Sequence, residues 1–77
     1  MKAILYNGRT PVGETADCRF AVYHAMISHP EITSGEIKDE KTGYTMIIRR
    51  DLTPRRYLNP ANYTQTLHMY DKHLVMY

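Results

Sequence analysis

Disulfide bonds are the usual staple of very small domains, yet this chain contains a single cysteine, Cys18, and so cannot close one within itself. Metal is the next staple, and it too lacks material. Cys18, His24 and His29 stand six and five residues apart, a spacing that does not gather them on one helical face, and there is no Cys-x-x-Cys pair. No structural zinc and no cofactor are expected, and Cys18 reads as a small core residue. No apolar run approaches the roughly 18 residues of a membrane span. The stretch Met1 to Gly8 offers three apolar residues before a turn, too few for a signal-peptide core. The expectation is a cytoplasmic protein with no membrane partner.

Catalytic signatures are equally scarce. The chain has no phosphate-binding loop, no dinucleotide-binding glycine pattern, no nucleophile elbow and no His-Glu-x-x-His. Most of its acids sit beside turns or opposite basic residues. One set has acid and base chemistry to offer: His68, Tyr70 and His73, beside a phosphate held by Arg55 or Arg56. Two histidines on a wet face are more simply exposed polar residues, so a non-enzymatic protein is expected.

What is present describes an ordinary folded chain in miniature. Hydrophobic residues make up 43% and charged residues 23% of 77 residues, which places the chain among globular proteins and predicts one domain over residues 1–77. A domain of this size buries only about 60% of its unfolded surface. With disulfide and metal absent, self-association or a partner is the natural supplement.

Local signals predict an α+β fold in the order β-β-α-β-β, a small antiparallel sheet with one helix packed on one face. Residues 2 to 6 and 9 to 12 flank Asn7-Gly8, a dipeptide suited to a type I′ hairpin turn, and Pro11 restricts the second arm to an edge or irregular chain. Thr15 is positioned to cap a helix, Asp17 to meet its dipole, and Ala16, Phe20, Tyr23 and Ile27 to form its apolar stripe. Pro30 stops that helix near Ser28.

A second hairpin, Ile32 to Asp39 and Tyr44 to Arg50, turns through Glu40-Lys41-Thr42-Gly43 with Gly43 in the left-handed conformation of a G1 bulge. That register sets Ile37 opposite Ile47, and puts Tyr44, Met46 and Ile48 together on the other face.

Residues 59 to 77 fit two patterns. As a helix, Asn59 caps, Pro60 opens the first turn, and Tyr63, Leu67, Tyr70, Leu74 and Tyr77 align. As a hairpin turning at Asp71-Lys72, Leu67 and Met69 oppose Met76 and Leu74. Threonine, tyrosine and valine favour strands, so the hairpin is preferred.

Two features carry the functional expectation. Seven tyrosines and five methionines are unusual in so short a chain, and these are residue types enriched where proteins meet. They also serve as core filler. Combined with a two-sided hairpin, they point to a regulator or inhibitor docking on a larger protein or nucleoprotein complex through Tyr44, Met46, Ile48, Tyr63, Tyr70 and Tyr77, as a homodimer. The size class includes small accessory proteins such as those of bacterial viruses.

The alternative rests on charge. Residues 1–48 hold five basic and six acidic side chains, whereas residues 49–77 hold five basic and two acidic. Arg49, Arg50, Arg55 and Arg56, followed by Tyr57, have the groups that contact phosphates and bases of RNA or DNA. Arginines near a strand end also discourage sheet-to-sheet pairing, and the net charge of +2 is modest.

Overall fold

Five strands and one helix are laid out in the computed structural model, which describes residues 2–62 and 68–77. Strands β1 (Lys2–Asn7) and β2 (Thr10–Ala16) lead into α1 (Arg19–Ser28), followed by β3 (Ser34–Lys38), β4 (Thr45–Arg49) and a short β5 (Val75–Met76). The strands form one antiparallel sheet in the order β4-β3-β1-β2-β5. The fold class is α+β. No helix among the described residues is long and apolar enough to cross a membrane.

The first hairpin forms where expected but turns one residue later. Asn7 pairs with Thr10, so the two-residue loop is Gly8-Arg9. Gly8 has φ +64° and Arg9 does not have positive φ, which is the pattern of a type II′ turn with glycine first, not type I′. Pro11 lies at a register shift between Leu5 and Tyr6, a bulge at which its missing N–H breaks no regular ladder.

Beyond the bulge β2 stays paired with β1 as far as Ala16, and this corrects the expected helix start. The ladder keeps Thr15 extended and buried in the sheet, where its Oγ1 has no partner among the described residues, and Cys18 becomes the N-cap without a side-chain bond. Asp17 precedes the cap. Cys18 is half-buried. The helix ends at Ser28, as Pro30 requires.

The predicted stripe on α1 does not exist either. Six consecutive residues, Ala21 to Met26, are buried, while Phe20 is largely exposed. A helix buried all round has cover on both sides. The sheet supplies one side, and the chain after β4 supplies the other through Tyr57, whose ring stacks on Tyr23 with centroids 5.2 Å apart, and Asp71, which bonds the buried His24.

In the second hairpin the loop is again as expected and the register is off by one. Gly43 has φ +75°, but Asp39 N–H donates to the Tyr44 carbonyl, so four residues form the loop and no bulge intervenes. Ile37 therefore pairs with Met46 and Gly35 with Ile48. A one-residue slip exchanges faces. Ile37, Met46 and Ile48 share the helix side and Ile47 lies on the opposite face, reversing the expected arrangement.

Along the helix side, Ile48, Gly35, Leu5, Gly13 and Met76 make a cross-strand row. Its two glycines are spacers. A Cβ on Gly35 would stand 2.5 Å from Val22 Cγ1, so the helix descends on the sheet where the side chain is missing. A Cβ on Gly13 would meet the Val75 carbonyl oxygen at 2.7 Å. Ala3, Leu5, Val22, Ala25, Met26, Ile32 and Ile48 complete the core.

The opposite face carries no element of the described chain, and its corresponding row reads Ile47, Glu36, Ile4, Glu14, Val75. Glu14 also meets Lys2 at 3.5 Å.

The C-terminal hairpin is not formed among the described residues. Asp71–His73 is a 3-10 turn, and β5 pairs with β2. Asn59 does cap, its Oδ1 accepting the Ala61 N–H at 3.0 Å, and Pro60 opens a 3-10 turn over Pro60–Asn62. Leu67, which both readings used, and Tyr63, which the helix reading used, lie outside the described residues.

Overpacking under the helix gives a test. Gly35→Ala is expected to destabilise by about 1–3 kcal/mol, as forced insertion into a packed core does. Gly43→Ala, in open space but at positive φ, is expected to cost about 1 kcal/mol. Urea titration of both variants checks the order.

Candidate protein interface

Positive charge is concentrated after β4, but the folded chain uses much of it internally. Arg50 points inward, donating through Nε to the Ile32 carbonyl at 2.8 Å, and through Nη2 to the Met26 and His29 carbonyls at 2.8 and 3.3 Å. Carbonyls of the last helical turn lack intrahelical partners, and the negative end of the dipole favours a cation there. The guanidinium thus closes the C-terminus of α1 and ties it to the chain entering β3. Arg49 pairs with Asp51 at 2.6 Å. Arg56 lies over the Tyr57 ring, 4.9 Å from its centroid, and bonds its hydroxyl. Arg55 is exposed. The four arginines do not form one cationic face.

Several exposed apolar side chains lie on or beside β4. Tyr44, just before the strand, is 77% exposed, Ile47 60% and Met46 47%, whereas Ile48 is 7% exposed and belongs to the core. Tyr44 and Met46 therefore remain candidate contact residues and Ile48 does not. An open cleft of about 760 Å³ lies between the chain entering α1 and the hairpin, lined by Asp17, Ile37, Lys38, Asp39, Tyr44 and Met46 among others. Arg19 reaches across to Met46, Nη2 to Sδ 3.8 Å. Phe20 is an exposed aromatic that the sequence reading had assigned to the core; its signal was its place in the first turn of a helix that has no single stripe.

β4 is also an edge. The bonds from Asp39 N–H to the Tyr44 carbonyl and from Arg50 N–H to the Thr33 carbonyl mark residues whose backbone faces β3. Alternation in an antiparallel pair then turns the N–H and C=O groups of Thr45, Ile47 and Arg49 outward. No other strand of the described chain pairs with this edge. Neither proline nor a bulge blunts it, although at its Arg49 end the carbonyl accepts the Thr53 hydroxyl at 2.6 Å.

Of the tyrosines expected to join Tyr44, Tyr63 lies outside the described residues, and Tyr70 and Tyr77 are elsewhere. Tyr77 follows β5, at the far side of the sheet, four strand spacings or roughly 19 Å from β4. Tyr70 is half-buried and packs near His24, ring centroids 6.5 Å apart. The site foreseen as one surface is divided between the two edges.

Of the trio His68, Tyr70 and His73, Tyr70 stands 6.5 Å from His73 between ring centroids, and His68 Nδ1 meets Asp71 Oδ2 at 3.2 Å. The other Asp71 oxygen meets His24. One carboxylate therefore joins a buried helix histidine to an exposed one, an arrangement that fastens the Asp71–His73 turn to α1. Among the described residues, no three His, Cys, Asp or Glu side chains stand together as a metal site.

Two tyrosine hydroxyls are displaced in opposite directions. A hydrogen bond from Arg56, with its charge, holds Tyr57 below the usual tyrosine range. A hydrogen bond with Cys18 and then burial push Tyr70 up.

Comparison with protein-family models, curated proteins and solved structures returns no match. Function is therefore read from this chain's own surface.

Two outcomes follow from these assignments. Arg50→Lys keeps the charge but loses the fork, so we expect it to destabilise nearly as much as Arg50→Ala, by about 2 kcal/mol, since bonds to charged groups contribute ~1.5–3 kcal/mol. Arg55→Ala should stay within about 0.5 kcal/mol of wild type. Chemical denaturation compares the three.

In an ultraviolet tyrosinate titration, Tyr57→Phe should remove an early-ionising component and Tyr70→Phe a late one. Because Tyr70 holds its proton more tightly folded than unfolded, its contribution to stability is complete below the ordinary tyrosine range. It is lost as pH rises through that range.

Proposed function

We propose that this protein is a non-enzymatic regulator that acts by docking on a larger protein or nucleoprotein complex through the β4 side of its sheet. The observation that carries the reading is the grouping of exposed Tyr44 and Met46 around one mixed cleft beside an unpaired edge strand. Tyrosine and methionine offer large contact area with adaptable packing, and a central aromatic anchor commonly dominates an interface. Acids and lysines around the cleft, Asp39, Glu40, Lys38 and Lys41, supply the polar rim that gives a contact its orientation.

The nucleic-acid reading keeps less support. It needs several guanidinium groups directed at phosphates, whereas Arg50 serves the helix end and Arg49 is paired.

A tagged protein used for affinity capture from the source cell tests the choice. Tyr44→Ala or Met46→Ala should abolish partner capture with the fold intact, because truncating a central anchor often costs about 2 kcal/mol or more. Oligonucleotide binding should be negligible at physiological salt. Tight binding that weakens with salt, at a log-log slope near −0.9 per neutralised duplex phosphate, and that disappears in the Arg55→Ala, Arg56→Ala double variant, is the result that reverses the order.

A further inference from the structure

We infer that the free edge of β4 is completed by β4 of a second copy of this chain, joining two five-stranded sheets into one and building the floor of the docking cleft from both copies. The inference deepens the docking reading and rests on β4 being the contact edge.

The pairing follows from which groups face outward. Thr45, Ile47 and Arg49 present their N–H and C=O groups to the edge, and an antiparallel partner can satisfy them only where outward residues stand opposite outward residues. Centring the two-fold axis on Ile47 achieves this along the whole strand. Ile47 then faces Ile47 of the other copy, Thr45 faces Arg49, and Arg49 faces Thr45. Six backbone hydrogen bonds result, two for each of these three pairs; the two that end on the Arg49 carbonyls share that oxygen with the Thr53 hydroxyl, which bonds it at 2.6 Å.

Side chains select that register over its neighbours. Sliding the axis to Arg49 opposes two guanidinium groups and shortens the overlap, whereas the Ile47 axis keeps the two arginines at opposite ends. Each Arg49 then lies toward the hairpin-tip end of the other copy, where Asp39 and Glu40 are the acids. On the helix side, the same register sets Met46 opposite Ile48, extending the apolar row of both cores across the junction.

The geometry also explains why exposed side chains remain useful after pairing. Edge-to-edge addition covers backbone and leaves the faces open. Tyr44 and Met46 of both copies stay on the helix side, between the two α1 helices, as the floor of a shared trough. A single copy contributes half of it.

Cysteine cross-linking reads the axis directly. In a Cys18→Ser background, Ile47→Cys should form a disulfide-linked dimer of twice 9.0 kDa on non-reducing electrophoresis, because residues opposed in a hydrogen-bonded pair have Cα atoms roughly 5.5 Å apart. Thr45→Cys should not, since its own counterpart lies about 13 Å along the strand. Sedimentation of the wild-type protein at micromolar concentration should give a dimer, and Ile47→Lys, which opposes two charges on the axis, a monomer with unchanged circular dichroism.

A monomeric wild type, cross-linking at position 45 in place of 47, or linkage of Ile47→Cys to a different protein overturns the inference. Loss of capture in Tyr44→Ala from a monomeric protein overturns the dimer and leaves the docking reading standing. A dimer that captures equally well with and without Tyr44 and Met46 removes the docking reading and leaves the dimer standing.

Discussion

The close approach of Val22 to Gly35 is the contact on which the rest of this small structure depends. A side chain at position 35 would hold the helix off the sheet, and the missing one lets Val22 fill the space beside Leu5 and Ile48. Once the helix sits that low, its outer surface becomes available to the chain that follows β4. Tyr57 stacks on Tyr23, Asp71 reaches His24, and Arg50 closes the helix end. A domain of this length buries little surface by size alone, and covering one helix from two sides is how it gains more. The consequence for function is positional. With the helix lying over β2 and β3 and the later chain lying over the helix, β4 is left at the margin, where Met46 and Ile47 are exposed while Ile48 stays in the core.

Much of this was legible in the residues, and what was not has identifiable causes. Pro30 ends the helix and glycines in positive φ mark both hairpin loops, because those signals act through local sterics that nothing later in the fold can override. The helix start was misread because Thr15 and Asp17 make a good local cap, while the β1–β2 ladder, a contact between distant residues, holds Thr15 extended. The stripe failed for a related reason: a period of 3.6 reports one buried face, and α1 has two. In the second hairpin the loop was right and the register was not. A three-residue loop with a bulge and a four-residue loop share the same glycine, and a single residue between them moved Ile48 into the core and Ile47 out of it. Of the candidate surface, Tyr44 and Met46 survive that slip, whereas grouping them with Tyr70 and Tyr77 required a strand order that periodicity does not contain.

The arginines show how composition misleads about purpose. Four in eight residues read as a binding strip. A guanidinium, however, presents several donors in a fixed plane, and the end of a helix presents several carbonyls without partners. Arg50 donates to three carbonyls at once, Met26 and His29 at the helix end and Ile32 beyond it, and a role of that kind leaves no trace in net charge. Its neighbour Arg49 belongs to the exposed edge, so two adjacent residues of identical type serve the interior and the margin respectively.

The face of the sheet opposite the helix has a grain of its own. Ile47, Glu36, Ile4, Glu14 and Val75 alternate across its five strands, so that no two apolar side chains in that row adjoin. Another sheet laid flat against it would have to strip water from both glutamates to gain the isoleucines. Stacking on this face is thereby penalised, while growth within the plane of the sheet is not. The two glutamates, set between the apolar residues, thus act as a solvated barrier to stacking on this face.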